Sequence, residues 1–446
     1  MTDLQHIQDQ PEVAGKIGII DQFVHQRYYD AAGLMYSHTN WQEERPFTAE
    51  DFSRDDSTMP GPEPHQWMSY ENSAFVSGIF LTAQCHRFRA TADREALTYA
   101  RRAFGSIDTN YRLTEQSDPG AIGLSQKAGI IDLSAQPKTA QSGFFCKPYY
   151  GEVTDHTSTE QHFAPLVGLY HFWKIASTDE KQRIEQIFGE VSRRWRGGYR
   201  INFFGEPWDL ETSYPRAQRH MYLWSVIHRM AYELTGEVAC QNEFLRLDAL
   251  YGTIPTPRET TYGLGRPSYI STEDRSFHVQ IVIASEILIE LEPQNRARYL
   301  RGMQSWWRYS MIGQRKDLMS YYFIKVDSQS GAWEKLPLSI KPRAVWKSSF
   351  MLHNAILPVC WLGTRERQGI SSAIVSRHIA EENKPALERL NRIYAELDKD
   401  HLKWFADPEG IMPKPLQWML NVMQGDSLAL YSLGYWYARA HEIDFS

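Results

Sequence analysis

The stretch YENSAFVSGIFLTAQCHRFRATADREALTYARRAF, residues 70–104, decides the fold because it holds two helical patterns separated by a short turn. From Gly78 to Arg89 the apolar residues fall near helical spacing, and Arg94 to Phe104 repeats that spacing. Ala92-Asp93 lies between the two patterns, where an aspartate suits the N-terminal end of a second helix. The stretch therefore predicts a helical hairpin, which opens with the polar and aromatic cluster Tyr70-Glu71-Asn72-Ser73.

The same arrangement recurs along the chain. Further short polar turns are Ser177-Thr178-Asp179, Thr235-Gly236-Glu237, Glu292-Pro293 and Gly363-Thr364. They follow the aromatic and aliphatic segments LVGLYHFWKIA, LWSVIHRMAYEL, VQIVIASEILIEL and FMLHNAILPVCWL, respectively. Successive turns are roughly 60 to 85 residues apart, which is longer than the repeat of a solenoid protein. The spacing favours long helical hairpins joined by loops that are free to carry function.

The two ends of the chain complete this pattern. A further hairpin can be drawn at each end, from Ile17 to Tyr29 and from Ala386 to Leu397 with Ser427 to Ala440, and these ends would have to pair to close a ring. Short strands are expected in Gly105 to Ala140 and around Leu318 to Trp333, where Gly, Pro, Ser and Asp interrupt the pattern. Without a long linker, residues 1–446 are predicted to form one domain.

Composition excludes several classes of function. The formal net charge is -6 and no Lys/Arg block occurs, so nucleic-acid binding has no electrostatic basis. No window of 18 apolar residues and no secretory leader pattern is found, so we expect no membrane partner and a soluble, cytoplasmic protein. Motifs for nucleotide or dinucleotide cofactors, Gly-x-Gly-x-x-Gly and the Walker loop, are missing as well, and we predict no cofactor.

Cysteine and aromatic residues carry different information. Cys85, Cys146, Cys240 and Cys360 are far apart in sequence, which predicts buried thiols rather than a zinc site or a disulfide framework. Aromatic residues make up 13% of the chain, and many of them stand beside Asp, Glu, His and Gln in predicted loops. That mixture suits a sugar ring, because aromatic faces cover its C–H groups while polar side chains bind its hydroxyls.

The hairpins and the polar clusters that open them resemble the six-hairpin glycosidase superfamily. Residues 70–104, FFCKPYYGEVTDHTSTEQHFAPLVGLYHFWKIAS (144–177) and WDLETSYPRAQRHMYLWSVIHRMAYELTGE (208–237) look like the unsaturated glucuronyl hydrolases and related carbohydrate-active enzymes. In organisation the resemblance covers residues 65–440. It implies an all-α fold, an (α/α)6 toroid with short strands in its loops. In such toroids the inner helices start around one mouth, and the substrate binds there.

The densest polar cluster precedes the second predicted hairpin, at residues 154–162. Ser, Thr, Asp and Glu there could simply cap a helix, but a cap needs one or two such residues and this segment has many more. Asp155 is the first candidate for the general acid, provided that apolar surroundings raise its pKa. The substrate-binding candidates of this cluster are His156, Thr157, Glu160 and Gln161.

A second cluster, residues 208–220, precedes the third hairpin. Asp209 is a candidate for the partner carboxylate, and Arg216 would suit a substrate carboxylate because its planar guanidinium makes paired hydrogen bonds. The other substrate-binding candidates here are Trp208, Glu211, Tyr214 and His220.

The remaining candidates come from the other openings. Glu71 is a third candidate for acid or base catalysis, and His278 and Trp346 are predicted to line the mouth. His156, His162, His220 and His278 have no His-Glu-x-x-His or comparable spacing, so we predict no metal.

Three functional interpretations follow from these observations. The first is a glycoside hydrolase acting on uronic-acid-containing or unsaturated oligosaccharides, with carboxyl groups as general acid and base. The second is a polysaccharide lyase or sugar epimerase that moves a proton with His or Tyr. The third is a non-enzymatic helical toroid that binds a ligand or another protein. The sequence leaves the sugar, the linkage and the oligomeric state open.

Overall fold

The computed structural model describes residues 4–52, 64–115, 143–148, 157–203, 206–212, 217–252, 268–321, 323–326, 332–335, 339–340, 355–356, 360–412 and 414–445. For some of these, including 206–208 and 268–276, only the backbone is described.

Helices dominate the described part of the chain. They are α1 (Val13–Arg27), α2 (Pro64–Tyr70), α3 (Ser73–Thr91), α4 (Arg94–Glu115), α5 (Glu160–Trp173), α6 (Thr178–Trp195), α7 (Ala217–Thr235), α8 (Val238–Tyr251), α9 (Thr272–Leu291), α10 (Arg296–Ser310), α11 (Thr364–His378), α12 (Asn383–Ala395) and α13 (Gly425–Ala440). Helices α3, α5, α7, α9, α11 and α13 form an inner ring, in which each packs against the next and α13 packs against α3. Helices α4, α6, α8, α10, α12 and α1 form the outer layer. The predicted (α/α)6 toroid is therefore confirmed.

Burial explains which helix of a hairpin lies inside. In α3 every residue from Ser73 to His86 is buried, whereas α4 buries one face, which includes Ala96, Ala100 and Ala103. A helix that is apolar or neutral on all sides must be surrounded by other helices, while an amphipathic helix covers the outside of the core. This difference places α3 in the ring and α4 outside it.

Inner helices α3 and α5 approach each other unusually closely. A Cβ atom at Gly78 would lie 2.3 Å from backbone atoms of Ala164 and Pro165, and a Cβ atom at Gly168 would lie 2.6 Å from the Gly78 carbonyl oxygen. Contacts under 3.0 Å with backbone cannot be relieved by turning a side chain. The two glycines are therefore required for this helix crossing.

The two ends of the chain meet and close the ring. On α1, the Asp21 carboxylate accepts a hydrogen bond from Trp436 Nε1 of α13 at 2.7 Å and from the Ser432 hydroxyl at 2.5 Å. Arg87 of α3 lies 3.7 Å from the same carboxylate. The pairing of the N-terminal helix with the C-terminal helix, predicted from the sequence, is confirmed.

The first four predicted turns fall between helices as expected, at α3–α4, α5–α6, α7–α8 and α9–α10. Ser177 caps α6, since its hydroxyl accepts a hydrogen bond from the Glu180 backbone N–H while the Glu180 carboxylate bonds back to the Ser177 N–H. At α4 the cap is Asp93, which accepts a hydrogen bond from the backbone N–H of Glu95 at 2.9 Å.

The prediction for the fifth turn is wrong. Cys360–Trp361 form a strand rather than the end of a helix, and Gly363 is the N-cap of inner helix α11. The true turn comes later, at Ala380–Glu382, and the helix expected over Ala386 to Leu397 therefore pairs with α11. The predicted hairpin of Ala386 to Leu397 with Ser427 to Ala440 is wrong, because α13 pairs with α1 instead. Pro358 disfavours a helix before position 360, and the small residues of GISSAIVS, 369–376, allow α11 to be buried on all sides.

Short strands connect the helices. They are β1 (His38–Asn40), β2 (Arg200–Phe203), β3 (Glu206–Asp209), β4 (Ser268–Ser271), β5 (Ser320–Tyr321), β6 (Phe323–Val326), β7 (Trp333–Lys335), β8 (Ser339–Ile340), β9 (Ala355–Ile356), β10 (Cys360–Trp361), β11 (Phe405–Ala406) and β12 (Val422–Gln424). They pair antiparallel as β1–β12, β2–β3, β8–β9, β11–β10–β5 and β4–β6–β7. The strands expected around Leu318 to Trp333 are confirmed.

The other strand prediction, over Gly105 to Ala140, is wrong as far as residue 115, because α4 continues to that position. Helical spacing persists there through buried Ile107 and Tyr111. Residues 116–140 lie outside the described part of the chain.

The four cysteines, as predicted, are buried thiols that form no disulfide. Among the described helices, none is both long enough and apolar enough to cross a bilayer. The prediction that residues 1–446 form one domain stays a prediction.

Candidate active site

The inner helices all begin at one end of the ring, which we call the mouth. Side chains from the first turns of neighbouring inner helices touch there: Gln161 Nε2 donates to Asn72 Oδ1 at 2.9 Å, and the Ser427 hydroxyl donates to Glu366 Oε1 at 2.7 Å. Helix N-termini carry partial positive charge, so an arrangement of this kind favours carboxylates and other anions at the mouth.

The first buried ion pair of the mouth joins Glu71 to Lys147. Glu71 immediately precedes the N-cap of α3, and its Oε1 lies 3.3 Å from Lys147 Nζ. Both side chains are at least 96% buried, with relative exposures of 3% and 4%. Loss of either side chain should strongly destabilise the protein, because the remaining partner would be a buried charge without compensation.

A second cluster joins the first turns of α11 and α13. Arg367 Nη1 donates to Glu366 Oε1 at 2.9 Å, and Arg367 Nη2 donates to Asp426 Oδ2 in a short ion pair. The side chains of all three residues are less than 10% exposed. One guanidinium therefore serves two carboxyl groups that face it from different helices.

The Glu366 carboxyl group differs from an ordinary glutamate. Burial, with the nearby Asp426 charge, raises the pKa of Glu366 to about 7, although Arg367 and the Ser427 hydrogen bond oppose the rise. Its Oε2 is buried and has no hydrogen-bond partner among the described residues. Close to neutral pH a large fraction of Glu366 is therefore protonated, and its unpartnered oxygen can hold the transferable proton.

His38, on strand β1, lies beside both clusters. Strand pairing sets His38 opposite Gln424, two residues before Asp426. Burial lowers the pKa of His38, while the charges of Glu71 and Asp426 act in the opposite direction. Its Nδ1 is within hydrogen-bonding distance of the Ser37 hydroxyl, at 2.9 Å. The mouth thus has a buried imidazole between acidic groups.

Tryptophans flank these charged groups. The Arg367 guanidinium lies 4.6 Å from the ring centroid of Trp361, and the His38 and Trp404 rings are 5.3 Å apart. Such contacts hold the charged and imidazole groups in place and add aromatic surface next to the carboxyl groups. Aromatic surface beside carboxyl groups is the combination expected of a saccharide site.

The opposite sector of the mouth is built around His220. The Thr159 hydroxyl lies 2.8 Å from His220 Nδ1, and the ring of Phe277 packs edge-on against the imidazole at 5.1 Å. The Arg219 guanidinium lies 4.0 Å from the same Phe277 ring. This sector, formed by the N-terminal parts of α5, α7 and α9, therefore combines an imidazole, a cation and an aromatic face.

Several residues proposed from the sequence lie in this mouth. Glu71, Gln161, His220 and His278 are buried at or next to the first turns of inner helices. Glu160 is half-buried at the first position of α5. The Thr157 hydroxyl instead donates to the Phe145 carbonyl oxygen at 2.5 Å, an interaction that fixes the segment before α5. Their roles toward a substrate stay predictions.

Asp209 and Glu211 have local partners. Asp209, in strand β3, accepts a hydrogen bond from the Glu211 N–H at 3.0 Å, and its carboxylate is 37% exposed and 3.9 Å from Arg200. Glu211 forms an ion pair with Arg246 of outer helix α8 at 2.6 Å. No described contact joins either carboxylate to Glu71.

The other sequence candidates have no described side chain. Asp155, His156, Tyr214, Arg216 and Trp346 lie outside the described residues, and for Trp208 only the backbone of strand β3 is described.

His162 is a structural residue. Its Nε2 accepts a hydrogen bond from the Phe145 backbone N–H at 3.2 Å, and its Nδ1 is 2.9 Å from the Ser158 carbonyl oxygen. Burial lowers its pKa to about 3. With both ring nitrogens used by the backbone, His162 is a poor proton carrier.

Sequence reasoning missed Glu366, Arg367, Lys147 and His38. For Glu366 and Arg367 the signal was present: the charged run TRER, 364–367, directly precedes a small and apolar helical segment. The polar clusters before the other inner helices have the same pattern. Because the fifth turn was predicted too early in the sequence, however, this charged run was placed at the start of an outer helix. Lys147 and His38 lie in extended segments without a local motif.

Within the described residues, no group of three or more His, Cys, Asp or Glu side chains is arranged to hold a metal ion.

No protein-family model matches the sequence, and no curated protein matches it either. Solved structures do match over nearly the whole chain. A sugar epimerase from a ruminal bacterium has 11% identity and a TM-score of 0.53, with coverage of 96% of this chain and 99% of that one. The cellobiose 2-epimerase of Bacillus thermoamylovorans B4167 has 11% identity and a TM-score of 0.51, with coverage of 93% and 95%.

An unsaturated glucuronyl hydrolase specific for heparin has 8% identity and a TM-score of 0.52, with coverage of 98% of this chain and 97% of that one. These three enzymes of sugar chemistry share the toroid fold with this chain. At such identities the likeness concerns the fold, which is the fold that the resemblance to the six-hairpin superfamily implied.

Proposed function

We propose that this protein is a carbohydrate-active enzyme, a glycoside hydrolase that cleaves uronic-acid-containing or unsaturated oligosaccharides at the mouth of the toroid. The observation that carries the proposal is the buried Glu366 carboxyl group, whose pKa is raised to about 7 and which stands at the first turn of an inner helix. A glycosidase needs such an acid, together with a second carboxyl group that stays ionised.

In the proposed reaction Glu366 donates its proton to the glycosidic oxygen. Water then adds to the anomeric carbon as the bond to that oxygen breaks, and a carboxylate accepts the proton that the water loses. Glu71 is the proposed acceptor, because its charge is matched by Lys147. Asp426 and Arg367 act as positioning residues, since they fix the Glu366 carboxyl and set its pKa.

The substrate class follows from the charge of the mouth. Lys147 and Arg367 balance the charges of Glu71 and Asp426 within a ring of helix N-termini, and Arg219 adds a cation in the opposite sector. Cations and helix N-termini together favour a ligand with carboxylate groups. Asp155, Asp209 and Arg216, proposed from the sequence, remain candidates for a second acid and for binding the substrate carboxylate.

A proton-transfer reaction is the second candidate, and His38 favours it. The imidazole is buried, its pKa is lowered, and it lies near the charges of Glu71 and Asp426. A neutral histidine of this kind suits removal and return of a proton on a sugar carbon, as in an epimerase or a lyase.

The test is product analysis on a panel of neutral and uronic-acid-containing oligosaccharides, with and without a terminal double bond. A hydrolase adds water and creates a new reducing end, a lyase creates an unsaturated sugar, and an epimerase leaves the mass unchanged. We expect hydration of the uronic-acid members. Turnover without hydration would overturn the hydrolase proposal, and full activity of Glu366→Gln and Glu71→Gln would overturn the site. Matched variants Asp155→Asn and Asp209→Asn test the sequence candidates.

A further inference from the structure

A second cavity lies at the opposite end of the toroid, where the inner helices finish. We call it the rear cavity. It has a volume of about 310 Å³ and is lined by the last turns of α3, α5, α9 and α13. Its lining includes His86, His171, His441, Phe88, Ile283 and Ile287. The volume is at the small end of the range for ligand sites, which suits one small molecule.

Three imidazoles form the polar side of the rear cavity. The ring of His86 is 5.0 Å from that of His171 and 5.6 Å from that of His441. His86 is 4% exposed, and its Nδ1 has no hydrogen-bond partner among the described residues. A buried polar atom without a partner carries a free-energy cost, which a bound hydroxyl would remove.

These imidazoles are uncharged at neutral pH. Burial is the largest cause, and it lowers the pKa of His171 to about 3 and that of His441 to about 4. The pKa of His86 is lowered by burial and by the other two rings. A neutral imidazole donates at one nitrogen and accepts at the other, which matches a hydroxyl group better than it matches an ion.

The charges around the rear cavity disfavour ions of either sign. Helix C-termini carry partial negative charge, which opposes an anion. Glu286 and Glu290 line the cavity and also oppose an anion, whereas Arg89 and Lys174 line it and oppose a cation. Lys174 Nζ lies 3.8 Å from Glu290 Oε2, and Arg377 Nη1 lies 2.8 Å from Glu286 Oε1. Glu286 also accepts a short hydrogen bond from the Tyr437 hydroxyl. This carboxylate is thus already satisfied by the protein.

The remaining wall is apolar. Phe88, Ile283 and Ile287 face the cavity, and the Tyr437 and His441 rings lie beside them with centroids 4.4 Å apart. We propose that the rear cavity is a binding site for a neutral, monosaccharide-sized polyol, whose hydroxyls bind the imidazoles and whose C–H groups cover the isoleucines. This site is separate from the mouth and does not depend on the proposed reaction.

The experiment compares four pyranoses that differ mainly in charge: D-glucose, D-mannose, D-glucuronate and D-glucosamine. Binding to the full chain is measured at pH 6.5, where the glucosamine amine is protonated, by isothermal titration calorimetry and saturation-transfer NMR. We expect a neutral hexose to bind more tightly than the charged sugars at a site that is unchanged in the mouth variant Glu366→Gln. His441→Phe, which removes one imidazole at a half-exposed position, should weaken hexose binding about tenfold.

Ile287→Trp fills the same cavity without touching an imidazole and should abolish hexose binding. Glucuronate bound at the mouth should be unaffected by either rear variant. The proposal is overturned if neither hexose binds, if glucuronate or glucosamine is the preferred rear ligand, or if Glu366→Gln rather than the rear variants removes hexose binding. Loss of oligosaccharide turnover would test the mouth and leave the rear site standing.

Discussion

Two buried glutamates, Glu366 at the mouth and Glu286 at the rear, belong to the same ring of helices and have opposite acid–base character. Burial raises the pKa of Glu366 to about 7. Burial would also raise the pKa of Glu286, but His378, Tyr437 and Arg377 outweigh it and lower that pKa. The partners of a buried carboxyl group, rather than burial itself, therefore decide whether it becomes an acid.

The two glutamates differ in how their partners are shared. Arg367 is divided between Glu366 and Asp426, whose negative charge further disfavours ionisation of Glu366. Glu286, by contrast, has three partners among the described residues, Arg377, His378 and Tyr437, all of which bond to its Oε1. The partners of Glu366 thus favour its protonated form, whereas the partners of Glu286 favour its ionised form.

The largest expected effect is on turnover. Glu366→Gln should lower kcat by about 10²- to 10⁴-fold, because the amide cannot donate the proton to the leaving oxygen. Folding should be preserved, since an amide has the same shape as the carboxyl group, whose pKa is raised to about 7. The measurement is kcat on the best substrate of the oligosaccharide panel, with the melting temperature as a check on folding.

Glu286→Gln is the matched control. It should leave kcat within about twofold of the wild type while it destabilises the protein, because Arg377 and His378 lose their carboxylate. An equal loss of turnover in Glu366→Gln and Glu286→Gln would contradict the assignment of catalysis to the mouth rather than to the rear.

The second effect is the loss of stability when the arginine beside each glutamate is replaced. Arg367→Met should lower the free energy of unfolding by about 3–5 kcal/mol, because it leaves two buried carboxyl groups without their shared cation. Arg377→Met should cost about 1 kcal/mol, since Arg377 is 31% exposed and Glu286 keeps Tyr437. Urea denaturation at pH 7 measures both values. Equal losses would contradict the shared-guanidinium description of the mouth.

The third effect is the pH dependence of stability. A carboxyl group whose pKa is raised on folding stabilises the protein fully below its unfolded pKa, and that contribution is lost as pH rises through the folded pKa. For Glu366 the window runs from its ordinary value of 4.5 to about 7. Asp21, whose pKa is raised to about 6 by burial, acts in the same direction.

The free energy of unfolding should therefore contain a component that falls between pH 4.5 and 7, by on the order of 1–3 kcal/mol for Glu366. Urea titrations at several pH values measure it. Glu366→Gln should remove this component and leave that of Asp21. Glu286, whose pKa is lowered, contributes with the opposite sign and only below about pH 4.5, so Glu286→Gln should leave the component between pH 4.5 and 7 unchanged. A variant curve parallel to that of the wild type would show that Glu366 does not titrate in this window.

Much of the fold could be predicted because its determinants are local. Helical spacing, the Ser177 cap and the turn at Thr235–Glu237 each lie within a few residues of what they specify. The prediction of the fifth hairpin was wrong because the apolar run FMLHNAILPVCWL has the composition of an inner helix. The strand Cys360–Trp361 at the end of this run depends on pairing with the distant segments Ser320–Tyr321 and Phe405–Ala406.

The site was only partly predictable for a related reason. Glu71, Gln161 and His220 could be proposed because each stands before or within the first turn of a recognisable inner helix. To predict Glu366 as a site residue, one would have to know which helix of the hairpin is the inner one. Its raised pKa also depends on Asp426, which lies 60 residues further along the chain. Such a property of a pair distant in sequence has no local signature.

The pH dependence of kcat/KM shows whether Glu366 is the general acid. On the preferred oligosaccharide, wild-type kcat/KM should be constant at mildly acidic pH and should fall above an apparent pKa of about 7, as Glu366 loses its proton. Glu286→Gln should show the same profile. A rate that stays constant from pH 6 to about 9, or a fall that persists unchanged in Glu366→Gln, would contradict the assignment of Glu366 as the acid.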